Sequence, residues 1–420
     1  LRADLSVKCA FLCSVLLLSA PGVQAYSVLT HEAIIDSAWD QNIKPLLLKR
    51  FPDATPDALL EAHAYAYGGC ILQDMGYYPF GSRFFSDLLH YVRSGDFVVT
   101  QIAEARELNE YAFALGSLAH YAADNEGHNI AVNPSVAIEY PGLERKYGKV
   151  VTYEENPGAH IKVEFGFDVL QVARGNYAPT SYHDFIGFRV SKPVLERAFR
   201  DTYGLELTEV FSDLDLALGT YRHTVSTIIP EMTKAAWASK RKELRKASPK
   251  IDRRKFVYNL SRASYEREWS AKYEKPGLGA RIIAFVIRII PKIGPLKAVA
   301  FKPPTPRTTR MFEDSFDKTL DAYHSLLARA GQGNLRLANT NFDTGAPVRP
   351  ASYRLADNTY AKLVAMLANR NAADLDPKLR ENILEYYRNL DAPFATKEDH
   401  KQWQRTLEAL DKLKAEPANE

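Results

Sequence analysis

The chain has 420 residues, 46% of them hydrophobic and 25% charged, which is ordinary for a globular protein with room for one large core and a smaller unit. Its formal charge is +3, of which Arg2, Lys8 and Asp4 carry +1, so residues 26–420 are left at +2. That near-balance excludes a global nucleic-acid-binding signature, and any attraction for phosphate must be local.

In chain order, residues 1–25 read as an export signal. Arg2 and Lys8 make the basic start, Ala10 to Ala20 the apolar stretch, and Val23 and Ala25 the small residues before cleavage, which would leave Tyr26 first. Cys9 and Cys13 would leave with it, so Cys70 would stand alone and no intramolecular disulfide is expected. From Thr30, read as a helix cap, to about Met232 the pattern is helical, with few alternating β-branched runs. Within it, Asp74 and His90 flank an aromatic stretch from Tyr77 to Phe85, and a small, apolar run from Ala112 to Ala123 predicts a buried helix. Aromatic residues recur at Tyr182-His183-Asp184-Phe185.

Lys234 to Lys255 is strongly basic, either a solvated helix face or a contact for anionic headgroups or nucleic-acid phosphates. The apolar stretch from Ile282 to Phe301 is interrupted by Arg288, Pro291 and Lys292, so it is too short and too charged to span a bilayer. It reads either as an interfacial segment, with Arg281, Arg288, Lys292 and Lys297 towards headgroups, or as a buried helix. Lys302 to Pro306 reads as a stiff Pro-rich linker. Beyond it, Met311–Ala330 and Ala356–Leu413 are amphipathic helical stretches separated by the Gly/Asn-rich segment 331–350. The expected fold is all-α, and no repeat is evident.

The chemistry lies in five side chains at helical spacing: His120-x3-Asp124-x3-His128 and, further on, His160-x3-Glu164. Positions i and i+4 share a helix face, so each set forms a stripe of imidazole and carboxylate, the ligand types that borderline cations such as Zn²⁺ accept. Such a pair is elsewhere often only an electrostatic contact. Here the surroundings of His120 and Asp124 are apolar, and burying them without a strong partner would cost several kcal/mol. With His31, Asp74 and His90, five of the ten histidines fall on the candidate list. His63, His183, His223, His324 and His400 lack partners at useful spacing and read as structural or surface residues, with His183 a possible contact for substrate phosphate.

The ordered set His31, Asp74, His90, His120-x3-Asp124, His128, His160-x3-Glu164 resembles the zinc-dependent phospholipase C family and its relatives, the S1/P1-type nucleases. The resemblance spans Tyr26 to about Asp168. It implies an all-helical phospholipase C/P1 nuclease-like core with about three zinc ions, followed here by a C-terminal helical extension. Carried over by position, Asp74, His90, His120 and Asp124 would hold the first zinc, and His128, His160 and Glu164 the second. The third would take His31, Asp124 as a bridge, and the α-amine and carbonyl of Tyr26. Tyr26-x4-His31 has the spacing of the Trp-x4-His start of the nuclease branch, with Tyr replacing Trp. The gap from Asp124 to His128 is shorter than in the familiar secreted phospholipases.

The resulting expectation is a zinc-dependent phosphodiester hydrolase, a phospholipase C acting on glycerophospholipid headgroups, with Asp74 as candidate general base and Asp124 as the bridging carboxylate. A single-strand nuclease and a metal-stabilised binding protein without turnover are the alternatives. The expected organisation is a signal peptide at 1–25, a catalytic domain at 26–232, a basic segment at 233–275, an amphipathic segment and linker at 276–305, and a C-terminal helical region at 306–420. Export to periplasm or medium is expected, with peripheral membrane contact through 281–302, a phospholipid or other phosphodiester as substrate, and no protein partner evident.

Overall fold

The structure, a computed structural model, describes residues 27–174, 176, 188–229, 232, 233, 236, 240, 300–368 and 375–415, all but the side chains of residues 173, 226 and 227. The expected export signal at 1–25, Tyr26, the Tyr182–Phe185 segment with His183, most of the basic run and the stretch 281–299 lie outside these residues.

The described chain is built of helices: α1 (Val28–Ala38), α2 (Lys44–Arg50), α3 (Pro56–Gly69), α4 (Arg83–Tyr91), α5 (Ser94–Glu104), α6 (Leu108–Gly127), α7 (Asn133–Glu139), α8 (Pro141–Tyr147), α9 (Pro157–Arg174), α10 (Lys192–Tyr203), α11 (Leu207–Val210), α12 (Leu214–His223), α13 (Pro306–Gly331), α14 (Arg354–Leu367), α15 (Pro377–Tyr386) and α16 (His400–Ala415). Its one described sheet is a two-stranded antiparallel hairpin, β1 (Thr340–Asn341) and β2 (Ala346–Pro347), in which Thr340 faces Pro347 and Asn341 faces Ala346. The all-α expectation holds.

The central element is α6. Its run from Tyr111 to Asp124 is buried on every side, as its small apolar composition predicts, so this helix forms the axis of the core and is no surface amphipath. It crosses α3 at very short range. A Cβ on Gly116 would lie 2.1 Å from the Ala66 carbonyl oxygen, and one on Gly69 1.9 Å from that of Phe113, so only glycine fits at either position. The close crossing brings the C-terminal end of α3 against α6, where the Cys70 carbonyl oxygen accepts from Nδ1 of His120 at 2.9 Å.

Helix α1 starts at Val28 with Ser27 as its N-cap, so Thr30 lies inside the first turn and is no cap. The Thr30 hydroxyl instead donates to Asp168 of α9 at 2.6 Å, and the Leu29 N–H donates to the other carboxylate oxygen at 3.0 Å. Asp168 thus ties the start of α1 to the helix that carries His160 and Glu164.

The C-terminal helices share the same apolar core. Phe312, Phe316, Leu320 and Tyr323 of α13 are buried together with Phe113 and Leu118 of α6, and the Tyr323 hydroxyl donates to the Leu115 carbonyl at 2.9 Å. The end of the Pro-rich segment is docked. Lys302 Nζ donates to the Glu139 carbonyl at 2.7 Å and lies over the Tyr140 ring, while Thr305 caps α13. Phe301 is buried among Phe165, Val169 and Leu170, with Lys240 over its ring.

Candidate metal centre

Eight of the predicted ligands converge at the centre of the bundle, every one buried. His31 comes from α1, Asp74 from a 3₁₀ turn at Leu72–Tyr77, His90 from the last turn of α4, and His120 and Asp124 from successive turns of α6. His128 opens a π-helical turn, His128–Val132, and His160 and Glu164 lie on α9. π-turns recur at functional sites, and this one divides the predicted stripe, since His120 and Asp124 face one set of partners and His128 another.

Three groups of donor atoms lie close enough to share an ion: His31, His120 and Asp124; Asp74, His90 and His120; and His128, His160 and Glu164. Asp124 divides its two oxygens between sets. Oδ1 faces His31 Nε2 at 3.6 Å, while Oδ2 faces His120 Nε2 at 3.1 Å and His90 Nε2 at 3.5 Å. Asp74 Oδ1 is 3.5 Å from His90 Nε2, and Glu164 Oε1 is 3.6 Å from His160 Nδ1. Asp74 is as deeply buried as its neighbours, not at the rim of the site.

Four of these five separations favour a metal site over a hydrogen-bond network, the 3.1 Å between His120 and Asp124 being short enough for either. Good N–H···O bonds lie near 2.9 Å, and contacts at 3.5–3.6 Å are too long. Two donors each about 2.0–2.1 Å from a tetrahedral ion stand roughly 3.3–3.4 Å apart, close to what is observed. Proton accounting points the same way. Nδ1 of His90 donates to the Ser86 carbonyl at 2.8 Å, Nδ1 of His120 to that of Cys70, and Nε2 of His160 to that of Val151 at 2.5 Å. A carbonyl can only accept, so these bonds fix each neutral tautomer and turn the ring's lone pair towards the carboxylates. Lone pair facing carboxylate is repulsive unless a cation lies between them or the ring takes up a proton, and in the absence of an ion Asp124 and Asp74, working against burial, do raise the proton affinity of His90 and His120. Among the described residues, both oxygens of Asp74 and of Asp124, Nε2 of His90 and His120, Nδ1 of His160 and Oε1 of Glu164 have no hydrogen-bond partner. The donors fit divalent zinc.

Without an ion the electrostatics are unbalanced. Burial pushes Asp74 up to about 6 against the pull of His90 and His120. Burial also works against Asp124, but His120, His90 and His31 outweigh it and hold that carboxyl well below its usual range. Around His128 the compensation is too small, with burial outweighing Asp124 at His128 and the Val151 carbonyl at His160. Burial drives the His128 imidazole well below its ordinary value and His160 down to about 4, and burial with Asp74 and Asp124 nearby drives Glu164 far up. A dication supplies the missing positive charge.

Tyr77 and Tyr153 lie over this centre, Tyr77 with its ring 5.9 Å from His90 and Tyr153 6.1 Å from His160, and both pack with Leu355 at the start of α14. The rest of the aromatic stretch divides. Phe84 and Phe85 are core, and Phe80, at φ 62°, is exposed. His63 is structural, as expected, stacked on Trp39 and hydrogen-bonded to Asp36.

Two residues escaped the sequence reading. Phe342 packs against His90, His120 and Tyr121 at ring distances of 5.3, 6.0 and 5.5 Å, and Asp343 Oδ1 is 3.6 Å from His128 Nε2. Both belong to the hairpin, in the polar Gly/Asn-rich segment where no periodicity marks a buried position.

An all-α bundle enclosing clustered histidine and carboxylate donors defines a protein whose core could hold metal ions. Residues 30–213 match the family model described as zinc dependent phospholipase C, which supports the resemblance to that family over this span. No curated protein and no solved structure matches the chain.

Proposed function

We propose that the protein hydrolyses phosphodiesters as a zinc-dependent phospholipase C, using about three zinc ions. The observation that carries this reading is Asp124, whose two oxygens face His31 on one side and His90 with His120 on the other, as a carboxylate bridging two ions would. Asp74, His90, His120 and Asp124 would hold one ion, His128, His160 and Glu164 a second, and His31 and Asp124 a third together with the Tyr26 terminus. Bound zinc polarises a phosphoryl oxygen and lowers the pKa of water towards neutrality. The protein's part is orientation and exclusion of water. The backbone carbonyls of Ser86, Cys70 and Val151 hold His90, His120 and His160 in the ligating tautomer. Asp74 is the candidate to take a proton, and Tyr77 and Tyr153 cover the reacting centre. Export, and contact of the 281–302 segment with lipid short of Phe301 and Lys302, which dock on the core, belong to the same proposal.

The test is zinc analysis of the chain beginning at Tyr26, with turnover of phosphatidylcholine vesicles and of single-stranded DNA. Zinc near three per chain with lipid turnover is expected. DNA cleavage alone would transfer the site to the nuclease reading, and absence of zinc would remove the site itself. Asp124→Asn should cost both bound metal and more than about 100-fold in activity, since ligands matter at least as much as the groups behind them.

A further inference from the structure

We propose that Asp343, on the hairpin beyond the family-matched span, is a fourth protein ligand of the ion held by His128, His160 and Glu164. This rests on the zinc reading above and adds to it a donor from a different part of the chain. Asp343 is fully buried, and the protein accounts for all of its polar atoms but one. Its N–H donates to Asn341 Oδ1 at 2.9 Å, and its carbonyl accepts from Asn133 Nδ2 at 2.7 Å. Its Oδ2 accepts from the hydroxyls of Tyr91 at 2.8 Å and Tyr353 at 2.5 Å. Oδ1 has no hydrogen-bond partner among the described residues and points to His128, neither of whose ring nitrogens has one either.

At 3.6 Å, Oδ1 and Nε2 are too far apart to bond to each other, and they have the same spacing as His160 Nδ1 and Glu164 Oε1 across the group. That is near the separation of two donors on one tetrahedral ion. Two tyrosine hydroxyls on Oδ2 fix the carboxylate's rotation and leave Oδ1 as its ligating atom, as outer hydrogen bonds do for metal-bound carboxylates. The hairpin is itself fixed to the ligand framework. The Phe342 N–H donates to the carbonyl of His90 at 3.2 Å, and Thr340 exchanges hydrogen bonds with Ser94, its N–H donating at 3.0 Å and its carbonyl accepting at 2.6 Å. Four protein donors bring this ion towards the closed, structural type of zinc site.

The experiment compares zinc stoichiometry in the wild-type chain and in Asp343→Asn after dialysis against a weak chelator, with cobalt spectra of Asp343→Cys. Asn keeps an oxygen for both tyrosines but loses the anionic ligand, so Asp343→Asn should retain one ion fewer than wild type while its metal-free form melts as wild type does. Cobalt-loaded Asp343→Cys should gain a thiolate-to-cobalt charge-transfer band absent from wild type, whose Cys70 serves as the control. A folded, cobalt-loaded Asp343→Cys without that band, together with full zinc in Asp343→Asn, would overturn the assignment. Should Asp343→Asn not fold, the cobalt band alone decides. Loss of zinc from the wild type itself would instead count against the parent reading.

Discussion

Phe342→Ala probes the coupling between the C-terminal segment and the metal centre. The ring is fully buried against His90, His120 and Tyr121, so truncation removes its transfer energy and leaves a cavity beside two ligands. Large-to-small changes of this kind cost about 3–5 kcal/mol. The backbone N–H that reaches the His90 carbonyl survives the change, so the hairpin has little freedom to collapse into the space, which places the expected cost in the upper half of that range. Chemical denaturation of the metal-free protein should report it as a lower midpoint with an unchanged slope. Zinc titration should show weaker binding at the His90/His120 group, because imidazoles that lose a packing wall lose orientation. A loss below about 1 kcal/mol with unchanged zinc affinity would refute the idea that this segment builds the site.

Two further substitutions test the scaffold. Gly116→Ala places a methyl group 2.1 Å from the Ala66 carbonyl, forcing α3 off α6. It should cost about 3 kcal/mol, the upper end for overpacking, and weaken metal binding through the Cys70–His120 hydrogen bond, both measurable by denaturation and zinc titration. Glu139 is pushed up to about 8 by burial, against the Thr308 hydroxyl and Lys302. Between its ordinary value of 4.5 and about 8 the folded chain therefore holds a proton that the unfolded chain releases, and stability falls as pH rises through that window. Glu139→Gln should remove this loss, gaining up to about 4–5 kcal/mol over wild type at pH 9 and little near pH 4.5, as read by denaturation at both pH values.

The sequence exposed what periodicity and spacing encode. The i, i+4 pairs of α6 and α9, the buried composition of Ala112 to Ala123 and the helical character throughout were legible because each is a local pattern repeated over several turns. Asp343 and Phe342 were not. A single apolar residue and a single acid in an Asn- and Thr-rich loop look like turn chemistry, and only tertiary packing reveals that both point inward. Thr30 failed for a related reason. A threonine followed by His31 and Glu32 looks like a good cap in isolation, but a carboxylate from a distant helix offered its hydroxyl a better partner. The burial of Asp74 likewise depends on α4 folding over it, which no local pattern states.

The same packing changes what a deletion can reveal. Cutting the chain after Glu274 would seem a way to separate catalysis from lipid contact, since the apolar 282–301 stretch and everything after it would go. The removed part, however, includes Tyr323 on the Leu115 carbonyl, Phe342 on two candidate ligands, Asp343 beside His128, and Leu355 against Tyr77 and Tyr153. Without it the central helix α6 would present an apolar face to water, and the ligand cluster would lose a wall. The truncated chain should therefore lose soluble-diester and vesicle turnover together, with reduced helicity and aggregation on gel filtration. A monomeric, zinc-loaded fragment that still cleaved the soluble diester would show that the family-matched helices suffice. Absent that result, lipid contact has to be tested by neutralising Arg281, Arg288, Lys292 and Lys297 in the full chain, where a fall on vesicles alone cannot arise from a broken core.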